Sequence, residues 1–134
     1  MKGYVANIEE LSLTNDFFRN VLYTDSRLQL VVMSLLPQEE IGEEVHGLDQ
    51  FIRVEQGEGM ATLDGEEHAL KDGTVVIIPA GVCHNIINTS ATQAMKLYTL
   101  YAPPNHKEGV VHKTKAKAQA DEGEHYEGSA GATI

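Results

Sequence analysis

GTVVIIPAGVCHNIIN, residues 73 to 88, is the most informative stretch of this chain. Gly73 and Gly81 allow backbone conformations that other residues avoid, whereas Pro79 restricts the backbone between them. The intervening run of valines and isoleucines is typical of a buried strand. The segment therefore predicts two turns that place His84 on a buried strand, which favours a ligand role for this histidine. The alternative is a hairpin of a generic β-sandwich in which the histidine only packs.

The composition indicates a single acidic domain. At 134 residues the chain is long enough to bury a core without disulfides, and its only cysteine, Cys83, is compatible with a reducing cytoplasm. The formal net charge of -10 argues against nucleic acid and anionic lipid as partners. No stretch approaches the length of a membrane span, and Glu9 and Glu10 stand where an export signal needs apolar residues. We therefore expect a cytoplasmic protein.

Short apolar runs alternate with turn signals along most of the chain, roughly every 8 to 12 residues, a pattern typical of an all-β sandwich or barrel. The Asp64-Gly65 pair predicts a tight hairpin turn. Pro103 and Pro104 end the strand-rich region, and the polar segment after them contains one short predicted helix, 114–120. The predicted strands are Phe17–Thr24, Leu28–Leu35, Gln50–Glu55, Met60–Leu63, Glu66–Leu70, Thr74–Ile78, His84–Asn88 and Met95–Ala102.

The spacing of residues 73–88 resembles the second sequence motif of the cupin superfamily. Its fixed positions are occupied by Gly73, Pro79, Gly81, His84 and Asn88. Over roughly Leu28 to Asn105 the chain is similar to small single-domain bacterial cupins of the RmlC-like type. The resemblance implies an all-β fold, the double-stranded β-helix, which is a jelly-roll-like barrel. We expect an N-terminal strand segment, 1–26, a barrel core, 27–105, and a polar C-terminal arm or tail, 106–134.

The first cupin motif is present upstream in altered form. Aligning its final glycine with Gly57 puts Gln50 where the family has glutamate, and His46 at the second histidine position. Glu44 then stands at the first histidine position, and Gln38 replaces the opening glycine. Because Glu44 and His46 are two residues apart, their side chains would share one face of a strand.

The resemblance implies a metal site formed by Glu44, His46, His84 and Gln50. Two histidines, one glutamate and one glutamine carry the same charge of minus one as the family's three histidines and one glutamate. Two histidines with one carboxylate suit a divalent Fe, Mn, Ni or Zn ion, and Gln50 is either a weak fourth ligand or a partner that holds bound water. Two alternatives are open: Glu44 ends an acidic run typical of a solvated surface, and a vestigial barrel would bind no metal.

The other polar candidates are expected to have lesser roles. Cys83 is predicted to pack rather than to act as a nucleophile. The histidines expected to be exposed are His68, His106, His112 and His125. The candidates for holding a carboxylate or phosphate are Arg53, Lys96, Tyr98 and Tyr101, although alternation along a strand does not say which of them face inward.

A metal in a barrel with an open coordination position permits catalysis. The resemblance extends to cupins labelled mannose-6-phosphate or sugar-phosphate isomerase-like, through residues 44–46, 49–51 and 96–99. We therefore expect a metal-dependent enzyme acting on a small sugar-like or oxygenated metabolite, by isomerisation or dioxygenation. No residue is identified as the general base, so the catalytic residues are not assigned. The alternative is a non-catalytic module that binds a small acid or sugar.

The resemblance also implies a homodimer, because cupins of this size commonly pair through edge strands and the apolar outer face of a sheet. The segment 103–134 is a candidate for wrapping around the partner subunit. Within it, 121–134 is predicted to be either a mobile tail or an arm docked on a barrel.

Overall fold

The computed structural model describes residues 3–126, which form two antiparallel β-sheets and two short helices. This confirms the predicted all-β class. The elements in chain order are α1 (Ile8–Thr14), β1 (Arg19–Thr24), β2 (Gln29–Leu35), β3 (Asp49–Gln56), β4 (Gly59–Leu63), β5 (Glu66–Leu70), β6 (Val75–Ile78), β7 (His84–Asn88), β8 (Met95–Ala102), β9 (Val111–His112) and α2 (Lys115–Ala120). Neither described helix has the length and apolar character that crossing a membrane requires.

The larger sheet has the strand order β6-β3-β8-β2-β1-β9, and the smaller one has the order β5-β4-β7. Along β3, Ile52 and Val54 are buried on the inner face, whereas Phe51 and Arg53 lie on the outer face. This alternation follows from the two-residue repeat of a strand. The inner faces of the two sheets enclose the apolar core, which includes Met33 of β2.

The predicted turns form as their residues require. Asp64 and Gly65 connect β4 to β5 with φ values of 49° and 83°, the left-handed conformations of a tight hairpin turn. Gly73 and Gly81 have φ values of 84° and 88°, which L-residues rarely adopt. The two glycines flank β6 and so set where it begins and where the chain turns towards β7.

The N-terminal helix α1 was not expected from the sequence. It is seven residues long, too short for a clear helical period, and its cap is the side chain of Asn7, which accepts a hydrogen bond from the Glu10 amide at 3.0 Å. α1 packs on the outer face of the larger sheet, where Lys96 is buried. The Lys96 ammonium donates to Ser34 Oγ at 3.0 Å and pairs with Asp16 at 3.0 Å. The helix thus covers polar groups that would otherwise face water.

The C-terminal arm, as far as residue 126, packs on its own barrel. β9 pairs with β1 in antiparallel register, and α2 confirms the short helix predicted at 114–120. The buried Gln29 side chain on β2 holds the start of the arm, since its Oε1 accepts the amides of Asn105 and His106 at 3.1 and 3.0 Å. The part of the predicted tail beyond residue 126 lies outside the described residues.

The expectation that the arm's histidines are solvated is wrong for two of the three. His106 is only 2% exposed and His112 only 4%, whereas the His125 side chain is about half exposed. A polar composition predicts solvent exposure only when no partner is available inside the fold. His106 hydrogen-bonds Glu124, and His112 hydrogen-bonds Arg19, so both are buried with their polar atoms paired.

Candidate metal centre

Glu44, His46 and His84 meet inside the barrel. One donor atom from each side chain lies within 4.8 Å of the other two. The Glu44 carboxylate Oε1 is 3.6 Å from His46 Nε2, and the two imidazole centroids are 5.2 Å apart. Donor atoms bound to one divalent ion are separated by about 3 to 4 Å, so this cluster is close to what one ion requires.

The backbone holds the three residues in place from both motifs. The amides and carbonyls of Glu44 and His84 exchange two hydrogen bonds of 2.9 Å, which forms an isolated β-bridge. The Gly81 amide donates to the His46 carbonyl at 2.8 Å. Residues 44–46 do not form a regular strand, and among them only Glu44 makes a β-bridge. The bridge nevertheless brings both side chains to His84.

The orientation of His84 leaves one ring nitrogen free for a ligand. Its Nδ1 lies 2.9 Å from the Val82 carbonyl oxygen, to which only an N–H can donate, so Nε2 carries the lone pair. The Nε2 atoms of His84 and His46 are buried and have no hydrogen-bond partner among residues 3–126. A buried nitrogen without a hydrogen bond lowers the stability of the fold, and coordination of a metal ion would give both atoms a partner. The residues therefore fit a divalent ion.

Gln50, the candidate fourth ligand, is buried on the inner face of β3. Its Nε2 donates to Thr99 Oγ1 at 3.0 Å, which leaves the buried Oε1 without a partner in the described part of the chain. Gln50 pairs in register with Tyr101 on β8, whose ring meets the His46 ring edge-on with centroids 6.3 Å apart. Gln50 is therefore linked to the three-residue cluster through Tyr101 and has an amide oxygen without a partner.

Glu44 is ionised despite its partial burial. Burial raises the pKa of this carboxyl, but His46, whose Nε2 lies 3.6 Å away, and the charge of Arg19 outweigh that effect and hold the pKa below its ordinary value. The ionised carboxylate gives the donor set the charge of minus one that the sequence predicts. It is also the charged donor that a cation would meet here.

Arg19 is a residue near the site that the sequence did not point to. It begins β1 and is only 6% exposed, and its guanidinium carbon lies 5.2 Å from the centre of the Phe18 ring. Its Nη1 donates to His112 Nδ1 at 3.1 Å, and His112 Nε2 donates to Asp121 at 3.0 Å. A single arginine at a strand start gives no sequence signal for burial.

His106 and Glu124 form a second buried pair behind Tyr101. His106 Nδ1 donates to the Glu124 carboxylate at 2.5 Å, and His106 Nε2 lies 3.4 Å from the Tyr101 hydroxyl. Burial lowers the pKa of His106 to about 4, so its ring is neutral at pH 7. Burial raises the pKa of Glu124, but the hydrogen bond from His106 outweighs it and the net shift is downwards.

A cavity of about 170 Å³ opens beside the cluster. Glu44, Arg19 and Glu124 line it together with the apolar Phe18 and residues of α2. The cavity is thus lined by Glu44 of the candidate metal cluster and by Arg19 and Glu124, which the sequence did not identify.

The remaining candidates are separate from the cluster. Arg53 and Tyr98 are paired in register on the outer face of the larger sheet, and Lys96 is covered by α1. The Cys83 thiol donates to the Glu43 carboxylate at 2.9 Å, and this hydrogen bond raises the pKa of Cys83, which disfavours a nucleophilic thiolate. His68 is half-exposed beside Glu66 on β5, as expected.

Comparison with protein families matches residues 31–101 of this chain to the cupin domain family. YrkC of Bacillus subtilis, described as uncharacterized, is 43% identical over 128 residues, which cover 90% of this chain and 68% of YrkC.

Two solved structures extend the comparison. The crystal structure of BH2720 from Bacillus halodurans superposes with a TM-score of 0.86 at 41% identity, covering 89% of this chain and 95% of the other. An RmlC-like cupin from Shewanella frigidimarina superposes with a TM-score of 0.59 at 22% identity, covering 63% and 74% of the two chains. At that identity the second likeness concerns the fold alone, and it agrees with the double-stranded β-helix predicted from the sequence.

Proposed function

The chain belongs to the cupin domain family, and from this premise we propose that it is a metal-dependent enzyme acting on a small oxygenated or sugar-like metabolite. The observation that carries the proposal is the set of unpaired buried donors. His46 Nε2, His84 Nε2 and Gln50 Oε1 are buried without hydrogen-bond partners in the described chain, and the ionised Glu44 stands beside the histidines. Apolar side chains would serve a purely structural barrel better, because each orphaned polar atom costs about 1 to 3 kcal/mol.

A divalent Fe, Mn, Ni or Zn ion held by Glu44, His46 and His84, with Gln50 as a fourth donor, would supply Lewis acidity or redox chemistry at an open coordination position. The protein's own contribution is orientation. The Val82 carbonyl fixes the His84 ring, and Thr99 fixes the Gln50 amide. The reaction classes that we propose are isomerisation of a sugar phosphate and dioxygenation of an enol or 1,2-diol.

One observation favours a second candidate, a non-catalytic module that binds a small acid or sugar. A proton shift needs a general base whose pKa lies near the working pH. His106, the buried histidine next to Tyr101, has its pKa lowered to about 4 and is held by Glu124, so it is not matched to that task at neutral pH.

The experiment that tests both candidates is metal analysis of the purified protein, followed by turnover assays of the metal-loaded form. We expect one Fe, Mn, Ni or Zn ion per chain, and we expect His84→Ala to lose it. The half-exposed His68 provides the matched control, and His68→Ala should keep the metal. A site that stays empty with Fe, Mn, Ni, Zn and Co contradicts the proposal. Bound metal without turnover of diols, enols or sugar phosphates favours the binding module.

We also propose that two chains form a homodimer through the outer face of the larger sheet. Val75 and Ile77 of the edge strand β6 are 46% and 58% exposed, and the rings of Phe51 and Tyr98 lie beside each other on the same face, 6.1 Å apart. An apolar face of this kind at a sheet edge is suited to burial against a second copy.

Cys83 forms no disulfide, which supports a reducing, cytoplasmic environment for the protein.

A further inference from the structure

We propose that Arg19 anchors the carboxylate of a small organic acid whose second oxygen donor faces the metal cluster. The ligand class is a 2-hydroxy or 2-oxo acid. This inference rests on the proposed metal function, since it names the substrate class of the same site.

Arg19 is a buried cation that forms no salt bridge with any carboxylate among the described residues. None of the ion pairs among residues 3–126 joins its guanidinium to a carboxylate within 4.0 Å, and its Nε is buried with no hydrogen-bond partner. Charged groups are rarely buried unless they are paired, because removal from water is expensive. A guanidinium N–H left free in this way is suited to an anionic ligand.

The guanidinium is held rigidly in place. Arg19 and His112 are directly paired in the β1–β9 register, and the Phe18 ring lies beside the guanidinium carbon. His112 accepts the hydrogen bond from Arg19 and is itself oriented by Asp121. An arginine fixed by neighbouring side chains loses little freedom when it binds a ligand, which favours a positioning role over a flexible surface contact.

The location of Arg19 connects it to the metal cluster. Arg19 and Glu44 line the same cavity, and the charge of Arg19 acts on the Glu44 carboxyl. Its volume, about 170 Å³, is smaller than the roughly 300 to 1,000 Å³ of pockets for drug-sized ligands. The space therefore favours an acid of a few carbon atoms over a nucleotide or an oligosaccharide.

The charges around the cavity select an anion once a divalent ion is present. Arg19 and Lys115 on α2 provide two positive charges, which Glu44 and Glu124 balance. A divalent ion then leaves the cavity positive overall. A carboxylate satisfies that excess and fits the planar fork of a guanidinium.

The test uses the full chain loaded with Zn(II), with glycolate as the probe and glycolamide as its uncharged analogue. Calorimetric titration should show glycolate binding at least tenfold tighter than glycolamide. Arg19→Gln should weaken glycolate binding at least tenfold, while the binding of glycolamide and the Zn(II) content, measured by elemental analysis, stay unchanged. Arg27→Gln, in the exposed turn between β1 and β2, is the matched control and should bind glycolate like the unmodified protein.

A second variant separates charge from geometry. Arg19→Lys keeps the positive charge but loses the planar guanidinium, so we expect a glycolate affinity between those of the unmodified protein and Arg19→Gln. If Arg19→Gln fails to fold, the affinity of Arg19→Lys tests whether the guanidinium binds the carboxylate. Equal binding of glycolate and glycolamide by the Zn(II)-loaded protein overturns the inference, and so does tighter binding of inorganic phosphate than of glycolate. Failure of the unmodified protein to bind Zn(II) or any other divalent ion contradicts the proposed function instead.

Discussion

Glu44 and His84 exchange two backbone hydrogen bonds of 2.9 Å across an isolated β-bridge, so the two candidate ligands are neighbours through their main chains. The bridge makes their separation independent of side-chain flexibility. It also ties the altered first motif to the intact second one. A substitution of the Glu44 side chain should therefore change the chemistry of the cluster and leave the backbone arrangement in place.

Glu44→Gln should weaken binding of a divalent metal by at least tenfold, because it removes the negative charge of the donor set and keeps the side-chain shape. Competition titration against a coloured chelator measures the affinity. Glu43→Gln makes the same change at the adjacent exposed residue and should have little effect. Equal losses in the two variants would show that general surface charge, rather than ligation, accounts for the affinity.

Gln50→Glu should strengthen metal binding up to about tenfold, since it places a charged oxygen where the amide oxygen is unpaired. The metal-free variant should be less stable than the unmodified protein, because a buried carboxylate then has no cation beside it. The same charge change at the exposed Gln93 is the control. If both variants bind metal equally well, Gln50 does not contribute to the site.

Gln38→Gly should raise the free energy of unfolding by up to about 1 kcal/mol. Gln38 has a φ of 64°, a left-handed conformation that costs an L-residue about 1 to 2 kcal/mol, and the greater freedom of unfolded glycine offsets about 0.5 to 1 kcal/mol. Urea unfolding measures the change. Gln119→Gly, within α2, should destabilise the protein instead, so the two substitutions are expected to have opposite signs.

The stability of the protein should fall as the pH drops from 6.5 towards 4. The lowered pKa of His106, about 4 in the folded state against 6.5 ordinarily, means that the unfolded chain takes up a proton that the folded chain refuses. Stability from this group is therefore complete above pH 6.5 and is lost on acidification. The lowered pKa of Glu124 adds a further loss as the pH falls below 4.5.

His106→Gln is expected to reduce the slope of the free energy of unfolding against pH between pH 6.5 and 4. The reduction is up to about 1.4 kcal/mol per pH unit, which corresponds to the uptake of one proton on unfolding. Urea unfolding at a series of pH values gives the slope. His68→Gln changes a half-exposed histidine and should leave the slope as it is. A slope unaltered by His106→Gln would mean that another group causes the acid sensitivity.

Ile77→Asp should convert the proposed dimer to a monomer, because it places a charge in the exposed apolar face of β6. Light scattering distinguishes the 14.7 kDa chain from a pair of chains. Val5→Asp introduces the same charge at an exposed apolar residue outside both sheets and should leave the dimer intact. A mass of one chain for the unmodified protein would refute the dimer.

Much of the fold could be predicted because its signals are local. Gly73, Gly81 and the Asp64-Gly65 pair require particular backbone angles, and the alternation along strands such as β3 follows from strand geometry. The short helix α1 escaped prediction because seven residues contain too little of a helical repeat.

The sequence by itself determined the all-β fold and identified Glu44, His46 and His84 as candidate ligands, because motif spacing and turn residues act over a few neighbouring positions. The tertiary structure decided what surrounds the cluster. Arg19 and His106 are buried because β1, β9 and the C-terminal arm pack together, which allows residues distant in the sequence to pair their polar atoms. Burial of a polar side chain depends on partners that only the folded chain brings together.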